Sequence, residues 1–264
     1  MLHNFMRQSS YADVFAGCGV AVGGAAGVQA ADGPSLGKLP PLCYLRNDHS
    51  TPFSGTIIVS LVALSNGITT KLAEISAEVG GGGGASALFC PTGGRLLGTT
   101  ANHTAVCGSY ASVLAAAGCK PTTCYLDIAT TSGEHAGETH GYHEESTGVL
   151  YAHNEQLLAA PFQLQLPRIN LSVHVPESTA NVEGGAVNVE VKADSGGVAC
   201  YVWLSTLAAG RFAPNGFMMN NRSKIVKFIP FETVLPQVRT HEVVEETLRL
   251  LRQSTRVEHL GEHL

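Results

Sequence analysis

Short runs in which apolar and polar residues alternate dominate the chain from about residue 40 to residue 232. Alternation with a period of two places every second side chain on one face of an extended strand, which is typical of half-buried β-strands. Turn-forming residues separate the runs, and Asn66-Gly67 is the strongest signal because both residues tolerate the positive φ of a hairpin turn. The pattern therefore predicts antiparallel strands joined by short turns.

The first group of runs lies in residues 39–165. The stretch "CYLRNDHSTPFSGTIIVSLVAL" predicts a strand, a polar turn containing Pro52 and Gly55, and a second strand at Thr56–Leu64. Further strands are predicted at Lys71–Val79, "ASALFC", Thr123–Thr130 and the run before Pro161. The expected core positions are Ile57, Val59, Leu61, Ala63, Leu72, Ile75 and Val79. Gly80–Gly84 predicts a flexible loop, because no helix start with a lysine follows it to hold a phosphate. Residues 91–121 lack periodicity and are interpreted as a long insertion or poorly ordered loop.

The second group of runs lies in residues 166–235 and is a clearer β-meander. Alternation is expected to bury three series, which are Ile169, Leu171, Val173 and Val175, then Val187, Val189 and Val191, then Ala199, Tyr201 and Trp203. Turns are predicted at Gly184-Gly185, Gly196-Gly197 and Asn220-Asn221. Residues 236–264 are predicted to be a helical tail, with Val243, Val244, Leu248 and Leu251 near one stripe.

These elements predict an all-β fold of two tandem β-sandwiches with a short C-terminal helix. The strand–helix alternation that a (β/α)₈ barrel requires is missing from the sequence. A lone tryptophan in mid-strand is more often a core anchor than a sugar-stacking platform, so Trp203 is expected in the core of the second sandwich.

Composition narrows the function classes. The net charge of −5 gives no electrostatic case for binding nucleic acid, and no apolar run approaches the roughly 20 residues that span a bilayer. Residues 1–38 are expected to be a tail. Within it, residues 14–30 weakly resemble a secretory signal ending at Val28-Gln29-Ala30, and a disordered or mis-started N-terminus is the alternative. A genuine signal would imply a lysosomal or secreted protein, and otherwise a cytoplasmic one.

Seven cysteines are spaced irregularly, at positions 18, 43, 90, 107, 119, 124 and 200. Their spacing does not predict a zinc site. A Cys119–Cys124 disulfide, a Cys107–Cys119 disulfide and unpaired thiols all remain open. Asn-x-Ser/Thr sequons at Asn102, Asn170 and Asn221 fit a secretory route, although such motifs also arise by chance.

One polar segment concentrates potential metal ligands, namely His135, His140 and His143 with Glu134, Glu138, Glu144 and Glu145. No histidine pair has the i, i+4 spacing on a helical pattern that a zinc hydrolase needs, and interspersed glycines favour a loop. The segment is therefore predicted to be solvated, and the chain is expected to hold neither metal nor cofactor.

The second group of strands resembles a known family. The stretches "LPRINLSVHV", "GGAVNVEVKADSGGVACYVWLS" and "GRFAPNGFMMNNRSKIVKFIPFE" resemble the C-terminal immunoglobulin-like domain of β-mannosidases in glycoside hydrolase family 2. The stretches "YLRNDHSTPFSGTIIVSLVAL" and "HNEQLLAAPFQLQLP" are similar to the adjoining mannosidase immunoglobulin-like domain. The resemblance covers about residues 42–232, with a divergent insertion near 91–121.

The resemblance implies an enzyme that removes terminal β-mannose with retention, using two glutamates on a catalytic barrel. This sequence has no barrel positions onto which those glutamates could be carried, so no catalytic residue is expected. Asn154-Glu155 resembles the acid/base dipeptide of many glycosidases but aligns with a linker strand between the two sandwiches, without a carboxylate on a rigid neighbouring strand. Glu183 is expected at a turn and Glu190 on an outward face. Arg211 is expected to pair with backbone or a neighbouring domain, and Asn215-Gly216 to serve turn geometry.

The sequence therefore favours the non-catalytic C-terminal portion of a β-mannosidase-like protein, whose partner is the catalytic barrel of a full-length glycosidase or an oligosaccharide. An exposed docking patch would also promote self-association. The alternative is a stand-alone β-sandwich module that binds carbohydrate or protein. An autonomous hydrolase built on the histidine-rich segment has no support in the residue spacing.

Overall fold

The computed structural model describes residues 14–18, 43–81, 85–92, 107, 110–132, 149–177, 182–183, 186–231 and 241–263. The chain divides into two compact units, with the division between Gln165 and Leu166. Both units consist of antiparallel sheets that enclose a hydrophobic core, which confirms the predicted all-β sandwich class. No helix in the described part of the chain is both long enough and apolar enough to cross a bilayer.

The described residues of the first unit form seven strands in two sheets. The strands are β1 Val14–Cys18, β2 Cys43–Asn47, β3 Phe53–Ala63, β4 Thr69–Val79, β5 Ala85–Phe89, β6 Cys124–Ser132 and β7 Val149–Leu157. One sheet has the order β1-β2-β5 and the other β4-β3-β6-β7. Ile57, Val59 and Leu61 of β3 are fully buried between the sheets, as the alternation predicts. The predicted turn at Asn66-Gly67 joins β3 to β4, and Gly67 has a φ of 71°.

Three features of the first unit differ from the sequence-based expectation. Strand β1 lies in the expected tail and signal-like segment, yet all five of its residues are buried and it pairs with β2. A short helix, α1 Tyr110–Ala116, lies in the expected insertion and contributes Val113 and Leu114 to the core. Gly55 lies inside β3 rather than in a turn. A glycine is required at this position because a Cβ would come within 2.1 Å of the Thr131 carbonyl oxygen.

Three disulfides join six of the seven cysteines, as the pairs Cys18–Cys43, Cys90–Cys107 and Cys119–Cys124. The Cys119–Cys124 alternative is therefore correct, and the Cys107–Cys119 alternative is wrong because Cys107 bonds to Cys90. Cys18 and Cys43 lie directly opposite each other on β1 and β2. This bond ties the N-terminal strand covalently to the first sheet. Cys200 keeps a free, buried thiol.

The second unit is a sandwich closed by a helix. Its strands are β8 Leu171–His174, β9 Val182–Glu183, β10 Ala186–Ala193, β11 Ala199–Ser205, β12 Gly210–Ala213, β13 Phe217–Met219, β14 Ser223–Pro230 and β15 Arg256–Glu258, and its helix is α2 His241–Ser254. One sheet has the order β12-β14-β10-β8, with β9 beside β10, and the other β13-β11-β15. Leu248 and Leu251 of α2 are buried against the core, as the helical stripe predicts.

The C-terminal residues differ from the expected helical tail. After α2 the chain returns as β15, which pairs with β11 along Trp203–Ser205. His259 then buries its ring, donating from Nε2 to the Ile169 carbonyl at 2.9 Å and accepting at Nδ1 from the Gly261 amide. These contacts make the end of the chain part of the second sandwich.

A β-bulge in β11 changes which side chains face the core. Its pairing register with β13 shifts between Ala199 and Val202, and Tyr201 adopts a left-handed backbone with a φ of 52°. The extra residue reverses the alternation. Val202 and Leu204 are consequently buried, whereas the expected core residues Tyr201 and Trp203 are only half-buried.

Asn215 extends the pairing of β11 beyond the end of β13. Its Oδ1 accepts from the Leu204 amide at 2.8 Å, and its Nδ2 donates to the Leu204 carbonyl at 3.0 Å. Gly216, with a φ of 86°, donates to the Val202 carbonyl at 3.0 Å. The predicted turn role of Asn215-Gly216 is therefore accompanied by a strand-like hydrogen-bonding role of the Asn215 side chain.

Replacing Asn215 with alanine should destabilise the second unit by about 1–3 kcal/mol, because a buried strand would keep an unpaired N–H and C=O. Urea unfolding followed by circular dichroism measures this loss. Asn220→Ala, in an exposed connection, is the matched control and should stay within about 0.5 kcal/mol of the parent. Equal unfolding free energies for N215A and N220A would contradict the proposed role.

Candidate functional site

The dipeptide Asn154-Glu155 lies in the middle of β7, an edge strand of the four-stranded sheet of the first unit. Its two side chains point to opposite faces, as in any strand. Asn154 faces the core and donates from Nδ2 to the Ala16 carbonyl of β1 at 3.1 Å. Glu155 faces outward. The expected linker position is therefore wrong, since the dipeptide belongs to the first sandwich itself.

Gln156 supports β1 in the same way as Asn154. Its Oε1 accepts from the Cys18 amide at 3.1 Å, and its Nε2 donates to the Cys18 carbonyl. The edge of β1 that faces away from β2 thus exchanges hydrogen bonds with side-chain amides of the other sheet. The motif "NEQ" is consequently a structural device in which the two amides hold β1 and the glutamate stays outside.

Glu155 does have a carboxylate on the neighbouring strand, contrary to the sequence-based expectation. It lies directly opposite Asp127 of β6 in the antiparallel register. Opposing residues bring their Cβ atoms within about 4.5–5.5 Å of each other. His153, two residues before Glu155 and on the same face, contacts Asp127 Oδ1 through Nε2. The sequence offered no signal for Asp127, because only strand register brings it beside Glu155.

This acidic patch, defined as Asp127, His153 and Glu155, lies on the outer face of a sheet rather than in a cleft. The side chains of Asp127 and His153 are 26% and 39% exposed. In the described part of the chain, no group of three or more His, Cys, Asp or Glu side chains is arranged to hold a metal ion. The arrangement suits a hydrated polar surface.

Trp203 forms a second candidate site on the outer face of β11. Its indole stacks on the imidazole of His263, with centroids 5.4 Å apart and planes inclined by 19°. Glu258, opposite Trp203 on β15, lies 3.4 Å from Nε2 of His263. The expectation that Trp203 is a core anchor is wrong, because the bulge at Tyr201 turns it outward. An outward indole with a polar rim is also the arrangement that stacks on sugar rings.

The remaining sequence candidates occupy separate positions. Glu190 lies on the outward face of β10 as expected, and hydrogen bonds from Ser223 and then Lys192 lower the pKa of its carboxyl. Glu183 ends β9, and Arg211 is exposed on β12. The histidine-rich segment and the sequon at Asn102 lie outside the described residues. Among the described candidates, Glu183, Glu190 and Arg211 lie on three different strands.

A shallow groove beside α2 encloses about 400 Å³ and is lined by Glu177, Glu245, Glu246, Leu248, Arg249 and Arg252. Both arginines are already engaged. Arg249 donates two hydrogen bonds to Glu246, which lower the pKa of that carboxyl, and Arg252 donates to the Pro176 and Glu177 carbonyls. Arg252 therefore holds α2 against the loop that follows β8.

Comparison with known proteins identifies the second unit. Residues 166–262 match the family model of the mannosidase Ig-fold domain. The search of curated protein sequences found no match. Among solved structures, the β-D-mannosidase of Dictyoglomus thermophilum aligns with 14% identity and a TM-score of 0.51 over 97% of this chain. The exo-chitosanase of Amycolatopsis orientalis aligns with 13% identity and a TM-score of 0.39 over 84% of this chain.

The chain spans 22% of the length of the mannosidase and 24% of that of the exo-chitosanase. The family match confirms the resemblance to the C-terminal immunoglobulin-like domains of β-mannosidase. The match extends to residue 262, so the family domain includes α2 and β15. At 14% identity, the likeness to the mannosidase establishes the fold alone.

Replacing Trp203 with alanine should cost only about 1–2 kcal/mol of unfolding free energy, because the indole is half-buried. Phe228→Ala, which empties a fully buried site in the same unit, should cost about 3–5 kcal/mol. Urea unfolding of both variants provides the comparison. An equal loss of unfolding free energy in W203A and F228A would show instead that Trp203 is a core residue.

Proposed function

We propose that this chain is the non-catalytic C-terminal β-sandwich portion of a β-mannosidase-like retaining exo-glycosidase of glycoside hydrolase family 2. The match of residues 166–262 to the mannosidase Ig-fold domain carries the proposal. The role of the portion is to pack against a catalytic barrel and to brace it. Hydrolysis of terminal β-mannosides belongs to the full-length enzyme.

Exposed apolar side chains support a docking role. In the second unit, Leu207, Ile225 and Phe231 are 81%, 54% and 60% exposed. Ile225 lies on the outward face of β14, and Phe231 follows the end of that strand. The Phe231 amide donates to the Ala209 carbonyl, which brings Phe231 to the turn that carries Leu207, and apolar groups exposed together favour contact with another protein surface. Without the barrel, the same side chains would favour self-association.

The acidic patch supports a non-catalytic reading of the chain. In retaining glycosidases two carboxyl groups stand about 5–5.5 Å apart across the scissile bond, one as the nucleophile and one as the general acid/base. Asp127 and Glu155 are neighbours, but they lie on the outer face of a sheet and Asp127 is engaged by His153. A substrate placed there would be surrounded by solvent on one side.

A second candidate function rests on Trp203. The outward indole, with His263 and Glu258 at its rim, favours a stand-alone carbohydrate-binding module as the alternative. Calorimetric titration with mannooligosaccharides separates the two proposals. Saturable binding that Trp203→Ala abolishes, while His174→Ala on the exposed face of β8 preserves it, would favour the module.

The purified 264-residue chain should not hydrolyse p-nitrophenyl β-D-mannopyranoside, because the residues that the structure describes contain no buried carboxylate pair. The measurement is the release of p-nitrophenol, with Glu155→Gln as the matched variant. A background rate that is the same for both proteins is the expected result. Turnover that E155Q abolishes would overturn the non-catalytic assignment.

The native polypeptide in source cells should be several times heavier than 27.6 kDa, because the proposal makes these sandwiches part of a full-length glycosidase. A blot probed with an antibody against residues 240–254 measures that mass. A single band at the mass of the chain itself would contradict the proposal and direct attention to the binding-module alternative.

A further inference from the structure

The connection between β13 and β14 contains the sequon Asn221-Arg222-Ser223. β13 belongs to one sheet of the second sandwich and β14 to the other, so the connection crosses the outside of the sandwich. All four residues from Asn220 to Ser223 are exposed. The backbone is nevertheless held, because the Arg222 carbonyl accepts from the Ala193 amide at 2.9 Å. A large group on the Asn221 amide would therefore extend into solvent without moving a strand.

The sequon at Asn170 is placed differently. The Asn170 backbone amide donates to Asp194 Oδ1 at 3.0 Å, and its side-chain Nδ2 donates to Asp194 Oδ2 at 2.6 Å. These hydrogen bonds, the backbone one first, lower the pKa of the Asp194 carboxyl. A sugar on Nδ2 would replace one of its two hydrogens and crowd the charge-assisted hydrogen bond that fixes the start of β8. The structure thus distinguishes two sequons that look equivalent in the sequence.

The disulfides supply an independent observation about the compartment. Six of seven cysteines are paired. The pairs join β1 to β2, Cys90 directly after β5 to Cys107, and Cys119, three residues after α1, to Cys124 of β6. Disulfides persist in oxidising compartments and are rare in the cytosol. The secretory route is also where Asn-x-Ser/Thr sequons are glycosylated.

We propose that Asn221 is a site of N-linked glycosylation. A bond forms between Nδ2 of Asn221 and C1 of an oligosaccharide. The bond from C1 to the diphosphate of a polyprenyl carrier breaks, the diphosphate leaves with the electron pair, and Nδ2 loses one proton. No oxidation or reduction is involved. The proposal is independent of the glycosidase assignment.

The Ser223 hydroxyl indicates when the transfer takes place. In the folded sheet it donates to Glu190 Oε1 at 2.6 Å, so it is already committed to a neighbour on β10. A sequon is read through the hydroxyl at its third position. Transfer to Asn221 before β14 pairs with β10 would meet a Ser223 hydroxyl that is not yet bonded to Glu190, and the folded connection would then accommodate the product.

The test uses the protein captured from its source cells with an antibody against residues 240–254. Treatment with peptide N-glycosidase in heavy-oxygen water converts a glycosylated asparagine to labelled aspartate. Trypsin then releases residues 212–222, and fragment ions assign the label. Asn215-Gly216 lies in the same peptide and deamidates readily, so assignment to Asn221 by fragmentation and an enzyme-free control are both required.

Label at Asn221 that depends on the enzyme supports the proposal. An unmodified peptide of residues 212–222 before enzyme treatment, at the full yield of the other peptides, overturns it. The matched pair is Asn221→Gln and Asn170→Gln, expressed with the native N-terminus in the same cells. N221Q should remove a glycan-sized step in mass on a gel, whereas N170Q should leave that step unchanged. Loss of the step in N170Q alone would contradict the assignment.

Discussion

Side-chain amides that take the place of a missing strand are the interaction on which both sandwiches depend. Among the described strands, β1 pairs with β2 alone. The other edge of β1 forms hydrogen bonds with the side-chain amides of Asn154 and Gln156 from the opposing sheet. Strand β11 extends beyond the N-terminal end of its neighbour β13, and there the Asn215 side chain provides an acceptor and a donor for the Leu204 backbone. Because an unpaired buried peptide group costs about 1–3 kcal/mol, these amides allow short strands to close a core.

The way in which these side chains fill the cores also explains where the two candidate sites lie. Amides that face inward leave their sequence neighbours facing outward, so Glu155 joins Asp127 and His153 on an outer face. In β11 the bulge at Tyr201 gives the inner positions to Val202 and Leu204 and places Trp203 against His263 at the surface. Both patches are by-products of how the cores are filled. The position of both patches on outer faces fits the proposed non-catalytic role.

The C-terminal segment completes the second sandwich instead of trailing from it. Helix α2 buries Leu248 and Leu251, β15 pairs with β11, and His259 bonds the Ile169 carbonyl. At the other end of the chain, β1 is fixed by a disulfide and by amides. A connection such as residues 220–223 remains exposed, and it is there that a modification is sterically possible.

The sequence by itself determined the strand class, the Asn66-Gly67 turn, the core face of β3, the stripe of α2 and the family of the second unit. The first four features follow from local periodicity and turn chemistry, which are properties of neighbouring residues, and the family follows from the resemblance of whole stretches to a known domain. Tertiary structure alone decided the place of β1, the outward turn of Trp203, the pairing of Cys18 with Cys43, and the meeting of Asp127 with Glu155. The Gly- and Ala-rich β1 segment has no period to reveal it, and one bulge reverses every later side chain in its strand. Register and cysteine pairing are fixed by contacts between residues far apart in the chain, which no local pattern encodes.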